Sequence, residues 1–349
     1  MPETDAALLT PIREAHRFDQ AALAAYLRGR LPGVEQGLEV LQFEGGQSNP
    51  TYRLAAGGHL YVLRKKPPGR LLPSAHQVER EYRVMSALQQ SDVPVPRTHL
   101  LCEDPSVIGT PFYVMDCVEG RVITDARMPH LTRDERIALY ADFVRVLAAL
   151  HRKDPGAIGL ADFGRPGNYY ARQIARWSQQ YQASQTDDIP AMKLLMDWLP
   201  AHIPESDASG VVHGDYRIGN CIVHPREPRV VAVLDWELST LGHPLGDLAY
   251  FCQGYHGEAV PGESLVGVDL AALGIPREDE VLARYCELTG RARIDDWNFY
   301  LVFVMFRSAA IVQGVYKRGL DGNAASQRAQ EYGALVRRRA EQALELAHS

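Results

Sequence analysis

The feature that most narrows the fold of this chain is a change in the period of its apolar residues. Over residues 38–66 they alternate in three short runs, broken by the Gly-rich stretch Glu44-Gly45-Gly46-Gln47-Ser48-Asn49 and by Gly57-Gly58, which predicts an antiparallel meander. A second hairpin is predicted from Leu100-Leu101 to residues 111–118. Helical spacing marks residues 19–31, stopped by Pro32-Gly33, and residues 74–90. After Gly120 the pattern is helical over 133–151, 169–184 and 189–202, with further helices starting near Leu245, Glu278, Trp297 and Ala324. One β stretch, 210–235, interrupts it. Strands set ahead of helices argue against a doubly wound sheet and for an α+β fold, with a small antiparallel β lobe carrying one helix and a larger, mainly helical lobe.

A length of 349 residues allows two cores. The expected division is a flexible N-terminal arm at 1–18, a first lobe at 19–117 and a second at 118–349, with the hinge at 115–120. Lys and Arg number 37 against 43 Asp and Glu, a net charge of −6, the wrong sign for a general nucleic-acid binder. The five cysteines are scattered without a C-x-x-C pair, which argues against a disulfide scaffold or structural zinc and for a reducing compartment. The opening Met-Pro-Glu-Thr-Asp has no secretory pattern, and the most apolar run, 299–306, is closed by Arg307, short of a bilayer span. A soluble, cytoplasmic chain with neither nucleic-acid nor membrane partners is expected.

The densest chemistry lies in His213-Gly214-Asp215-Tyr216-Arg217-Ile218-Gly219-Asn220 and in the apolar stretches that follow it. Read as a hairpin turning near residue 227, those stretches set Asn220 opposite Asp235 at the open end, beside Asp215. Two carboxylates and an amide oxygen form a hard-oxygen set that suits Mg²⁺. Taken singly, His213 reads as a core histidine, Asn220 as a turn residue and Asp235 as a strand end; the combined spacing favours chemistry. The small residues at 45–49 let backbone N–H groups approach phosphates, although alone they read as an ordinary turn. Neither G-x-G-x-x-G nor G-x-x-x-x-G-K-[ST] occurs, so a Rossmann or P-loop site is not expected. Alternation over 61–66 places Val62 and Arg64 on one face and Leu63 and Lys65 on the other. In the next helix Glu81 falls within the apolar stripe of Val78, Tyr82, Met85 and Leu88, and a buried acid needs a cation, Arg64 or Lys65. Glu79 and Lys66 are assigned to solvent.

Together these motifs resemble the aminoglycoside phosphotransferase-type kinases, a branch of the protein-kinase-like fold. The likeness covers about residues 19–347 and is most specific at His-Gly-Asp-Tyr-Arg-Ile-Gly-Asn and Leu-Asp-Trp-Glu-Leu-Ser-Thr-Leu-Gly-His-Pro-Leu-Gly-Asp-Leu-Ala-Tyr, supported by Phe-Glu-Gly-Gly-Gln-Ser-Asn-Pro-Thr-Tyr and Tyr-Val-Leu-Arg-Lys-Lys-Pro-Pro-Gly. Asn168-Tyr-Tyr-Ala-Arg-Gln-Ile-Ala-Arg-Trp177 and Trp198-Leu-Pro-Ala-His-Ile203 are similar to the kinase-like domain found ahead of, or encoded near, certain acyl-CoA dehydrogenases.

The resemblance implies transfer of phosphate from ATP or GTP, with Mg²⁺, to a hydroxyl of a small metabolite. It implies Asp215 as the base or orienting carboxylate, Asn220 and Asp235 as metal ligands, and Arg64 as the phosphate-binding cation paired with Glu81. Gly46, Ser48 and Asn49 would lie over the phosphates. Met115 would guard the adenine pocket, with the backbone of Asp116 and Val118 on the base. Protein kinases place Lys where this chain has Arg64, which leaves Lys65 as an alternative cation. Tyr169, Arg172, Trp177, Tyr255 and Arg307 are acceptor-site candidates, joined by Glu237, which with Asp247 is also expected to support the metal site. Such a cationic and aromatic set suits an acid or CoA thioester, and the narrower likeness implies a hydroxyacyl-CoA, 4-hydroxyacyl-CoA among them, and a functional link to an acyl-CoA dehydrogenase. The competing readings are a catalytically silent nucleotide-binding module, an aminoglycoside or amino-alcohol kinase, and an acyl-CoA dehydrogenase. The last lacks a dinucleotide fingerprint and has the wrong element order.

Overall fold

The computed structural model describes residues 9–44, 49–67, 77–206, 208–257, 262–320 and 329–349. In chain order the elements begin with β1 (Leu9–Thr10), α1 (Gln20–Leu27), β2 (Glu39–Phe43), β3 (Thr51–Ala56), β4 (His59–Lys65), α2 (Val78–Leu88), β5 (Thr98–Cys102), β6 (Phe112–Asp116) and β7 (Arg121–Val122). Next come α3 (Arg133–His151), α4 (Tyr169–Ser184), α5 (Pro190–Ala201), β8 (Gly210–Val212), β9 (Cys221–Val223), β10 (Val230–Val233) and β11 (Thr240–Gly242). The chain continues through α6 (Leu245–Cys252), α7 (Leu270–Leu273), α8 (Glu278–Thr289), α9 (Trp297–Leu320) and α10 (Ala329–Ala347).

Internal packing divides the chain into one unit of residues 1–122 with 220–239 and a second of residues 123–219 with 240–349. A single boundary after residue 117 does not describe this division. Strand β7 pairs with β9, and the Val233 N–H donates to the Pro94 carbonyl at 2.8 Å, so the β9–β10 hairpin packs with the first unit.

The first unit is built on an antiparallel sheet of order β1-β2-β3-β4-β6-β5. Strict alternation in β3 buries Tyr52, Leu54 and Ala56 on one face. There they meet Leu23 and Leu27 of α1, whose first turn is capped by the Asp19 carboxylate accepting the Ala22 N–H at 2.9 Å. The opposite face carries α2, which buries Val78, Glu81, Val84, Met85 and Leu88; Val84 takes the stripe position expected of Tyr82. Residues 9–18 do not form a free arm. Leu9 pairs with Phe43, the Tyr52 hydroxyl donates to the His16 carbonyl at 2.9 Å, and Phe18 meets the Tyr52 ring edge-on at 5.1 Å.

The second unit is helical around α9, which packs against α4, α5, α6 and α10, with β8 and β11 as a small two-stranded sheet. Thr132 and Glu135 form a capping box that starts α3. Arg307 closes the apolar run but not the helix, which continues through it to Leu320. By length and composition α9 would cross a bilayer, but 78% of its most apolar window is buried within the protein, as in a core helix.

Gly120 tightens the first unit. A Cβ there would lie 2.2 Å from the Ile222 side chain and 2.5 Å from the Val223 carbonyl oxygen. Gly120→Ala is therefore expected to cost about 2 kcal/mol through overpacking. An unchanged urea-unfolding midpoint would show that the segment beside β9 yields freely.

Candidate functional site

In the first unit, strand β4 and helix α2 bring together a buried polar cluster. The Arg64 Nε lies 3.3 Å from Glu81 Oε2, and its terminal nitrogen lies 2.7 Å from Asp235 Oδ1 and 3.7 Å from Glu237 Oε2. The Asn49 amide donates to Glu81 at 2.9 Å and to Glu237 at 3.3 Å, while the Tyr113 hydroxyl donates to Glu81 at 3.0 Å. Alternation explains the meeting: Arg64 points to the α2 face because Leu63 fills the α1 core, and Tyr113 is its cross-strand partner on β6.

The charges follow from this geometry. Burial lowers the Arg64 pKa, but Glu81 and then Tyr113 and Asp235 outweigh it, so the guanidinium stays charged. Glu81 is only 1% exposed, and burial, opposed by Arg64, raises its pKa to about 7. Asp235 adopts a left-handed backbone conformation, φ 66° and ψ 54°, which is uncommon for a residue with a Cβ. The Arg64 contact and the buried Trp236 indole, donating to the Val233 carbonyl at 2.9 Å, hold the segment there.

Lys65 is separated from this cluster. It is 2% exposed on the opposite sheet face, with its ammonium 5.2 Å from the Phe18 ring centre and its pKa lowered by burial. Arg64, not Lys65, is thus the cation brought to Asp235. Asn49 is wholly buried as a link between Glu81 and Glu237, and Glu237 belongs with Arg64 in this unit. Glu79 and Lys66 pair with each other at 2.8 Å instead of standing alone in solvent. Gly46 and Ser48 lie outside the described residues. Met115 is buried on β6 opposite Val62, and Asp116 contacts the His99 ring at 2.5 Å while its backbone N–H donates to the Arg97 carbonyl at 2.8 Å. Val118 follows β6 in a segment without regular secondary structure.

The β9–β10 hairpin forms with a register one residue from that expected. Val233 pairs with Cys221 and the Leu234 N–H donates to the Asn220 carbonyl at 2.8 Å, so Asn220 faces Leu234, one position before Asp235. The turn closes at His224 and Arg229, and a register shift between Val230 and Ala232 absorbs the extra residue. Asn220 and Asp235 still flank the same end of the hairpin. Their amide and carboxylate oxygens are hard donors of the kind that Mg²⁺ takes. Among the described residues no group of three or more His, Cys, Asp or Glu forms a metal cage by itself.

In the second unit Asp247 of α6 organises the loop that holds Asp215. Its two carboxylate oxygens accept the backbone N–H groups of His213 at 2.6 Å and Gly214 at 2.8 Å, and His151 approaches at 3.3 Å. Burial raises the Asp247 pKa, but the His151 and His213 interactions outweigh it and hold the group below its ordinary value. The Asp215 N–H donates to His213 Nδ1 at 3.1 Å, which leaves the proton of a neutral imidazole on Nε2. The Asp215 carboxylate lies 3.7 Å from Arg217, which also pairs with Glu263 at 2.9 Å, and is hydrogen-bonded to the Tyr250 hydroxyl.

The acceptor candidates separate in the structure. Arg307 donates to the Gly214 carbonyl at 2.7 Å and sits 5.6 Å from the Trp177 ring centre. Tyr169 packs over Gly242, where a Cβ would come 2.7 Å from its ring. Arg172 is spent on the carbonyls of Gly167 and Arg165, and the Tyr255 hydroxyl donates to the Pro276 carbonyl at 2.7 Å. Sequence reading omitted Tyr113, His151, Arg217, Tyr250 and Glu263. Arg217 had a usable signal, two residues after Asp215; the others are joined to the site only by folding.

Residues 39–288 match the phosphotransferase enzyme family. The chain is 46% identical over 343 residues to mouse acyl-CoA dehydrogenase family member 10, covering 97% of this chain and 32% of that protein. It is likewise 46% identical over 344 residues to chicken acyl-CoA dehydrogenase family member 11, covering 96% of this chain and 44% of the relative. The chain thus spans less than half the length of these curated relatives. A solved structure from Ralstonia eutropha JMP134, described as a candidate aminoglycoside phosphotransferase, superimposes with a TM-score of 0.87 at 50% identity, covering 95% of this chain and 99% of the other. A thermostable variant of aminoglycoside phosphotransferase APH(4)-Ia, crystallised with AMP-PNP and hygromycin B, shares the fold at 15% identity and a TM-score of 0.61, over 93% and 98% of the two chains.

The raised pKa of Glu81 has a measurable consequence. Between pH 4.5 and about 7 the folded chain retains a proton that the unfolded chain releases, so stability falls as pH rises through that window. Urea unfolding at pH 5 and pH 7.5 is expected to show a contribution of roughly 2–3 kcal/mol that Glu81→Gln removes. Equal pH slopes for the two proteins would mean that Glu81 is ionised throughout.

Proposed function

The chain belongs to the phosphotransferase enzyme family, and from that premise we propose that it is a small-molecule kinase moving the γ-phosphoryl group of a nucleoside triphosphate, ATP in the first instance, to a metabolite hydroxyl. The observation that carries this reading is Arg64 set between Glu81 and Asp235, a cation fixed beside a metal-competent carboxylate. Phosphoryl transfer passes through a loose transition state, so positioning and charge neutralisation supply most of the rate.

In this reading the first unit takes the nucleotide. Arg64, anchored by Glu81, neutralises phosphate charge, and the carbonyl of Asp116 and the N–H of Val118 meet the base beside Met115. Asn220 and Asp235 would hold Mg²⁺, which when bound withdraws charge from the phosphate oxygens. The second unit takes the acceptor. Asp215 accepts the hydrogen bond of the incoming hydroxyl, orients its oxygen and receives its proton as the bond to phosphorus forms, leaving a phosphomonoester and a nucleoside diphosphate.

A hydroxyacyl-CoA is the acceptor we favour over an aminoglycoside. Arg307 and Trp177 stand near the Asp215 loop, where the guanidinium charge repels a polycation and suits the oxygens of an acyl thioester. The relatives named as acyl-CoA dehydrogenase family members support a shared acyl metabolism.

Titration calorimetry with ATP and GTP, with and without Mg²⁺, tests the nucleotide half. Metal-dependent binding by the native protein and its loss in Asp235→Ala are expected. Asp215→Ala should keep nucleotide binding but lose about 10³-fold in transfer. Absence of nucleotide binding by the native protein would overturn the kinase reading, and native-rate transfer by Asp215→Ala would overturn the role of Asp215.

A further inference from the structure

Arg307 lies within α9 and is 8% exposed. One terminal nitrogen donates to the Gly214 carbonyl at 2.7 Å, whereas Nε is buried without a hydrogen-bond partner. Among the described residues no carboxylate lies within ion-pair distance of this guanidinium. Its neighbours are the rings of Trp177 and Tyr250, 5.6 and 5.8 Å from the guanidinium carbon to the ring centres. Aromatic faces attract a cation but carry no counter-charge. A buried guanidinium held by one carbonyl and two rings retains a donor and a positive charge with nothing to receive them.

The position of that unspent charge is specific. Gly214 immediately precedes Asp215, and the Tyr250 hydroxyl is bonded to the Asp215 carboxylate. Burial and then the Asp215 charge hold the Tyr250 phenol protonated, so it remains a donor. Arg217, the other cation near Asp215, is already engaged by Glu263. Arg307 thus keeps an unused donor beside the loop that carries Asp215.

We infer that Arg307 is a specificity-determining residue whose free guanidinium edge receives an acyl oxygen of the acceptor, carboxylate or thioester carbonyl, while Asp215 receives its hydroxyl. A planar fork with aromatic neighbours matches a planar acyl group, and its charge disfavours a cationic acceptor. An acceptor without such an oxygen leaves the buried donor unpaired, which is how a polar site rejects a near-isostere. This inference rests on the phosphotransferase reading and narrows its acceptor.

The test compares 4-hydroxybutyrate, 4-hydroxybutanoyl-CoA and butane-1,4-diol as probes. Calorimetric binding and ATP-dependent phosphorylation are measured with the native protein, Arg307→Lys and Arg307→Met. Arg307→Lys preserves the charge, and circular dichroism verifies that each variant is folded. At least one acyl probe is expected to bind more tightly than the diol, and the lysine variant to raise its KM about 10- to 100-fold with a smaller change in kcat. The acyl probe that responds distinguishes a free carboxylate from a thioester.

Equal losses in kcat for the diol and acyl probes, with acyl KM unchanged, would overturn the inference and leave Arg307 as a support for the loop. Failure of both acyl probes to bind the native protein would also overturn it. Arg307-dependent acyl binding without phosphoryl transfer would support the inference while removing the kinase reading. Transfer to an acyl probe that is indifferent to Arg307 would do the reverse.

Discussion

Burying Glu81 beside Arg64 is the interaction on which the polar cluster of the first unit depends. Neither charge is cheap away from water, and each makes the other tolerable. Asn49 and Tyr113 complete the arrangement by donating to the Glu81 oxygens, which immobilises the carboxylate and, through it, the guanidinium. Arg64 is consequently a fixed cation with one side committed to α2 and another turned to Asp235. The sheet's alternation, the α2 stripe and the β9–β10 hairpin converge on this guanidinium.

A second buried carboxylate, Asp247, has the opposite electrostatic character. Glu81 is dominated by its loss of water, and its pKa rises to about 7. Asp247 is also buried, but the backbone N–H groups of His213 and Gly214, with His151 nearby, reward its ionised form. The difference fits their tasks. Glu81 secures one side chain against a helix, whereas Asp247 fixes the backbone of a loop, and with it the direction of Asp215.

Much of this design was legible because it is local or periodic. The meander at 38–66, α3, α4 and the β9–β10 hairpin follow from apolar spacing and turn residues. The face alternation of β4 places Arg64 and Lys65 on opposite sides before any packing is known. The hairpin register was legible only to within one residue, because the shift between Val230 and Ala232 has no signal in a run of similar apolar residues. Residues 9–18 read as polar and irregular, yet His16 and Phe18 gain partners on β3 from far along the chain.

The sequence by itself determined the order of strands and helices, the α+β class and the family motifs, since these depend on period, turn chemistry and residue identity over short spans. Only the tertiary structure decided which charges meet. It chose Arg64 over Lys65 as the partner of Glu81, sent Lys65 to the Phe18 ring, drew Glu237 to Asn49 and left the Arg307 guanidinium with an unpaired nitrogen beside Gly214. The physical reason is range. Helical and strand periods act between neighbours in sequence, whereas desolvation and ion pairing act between neighbours in space.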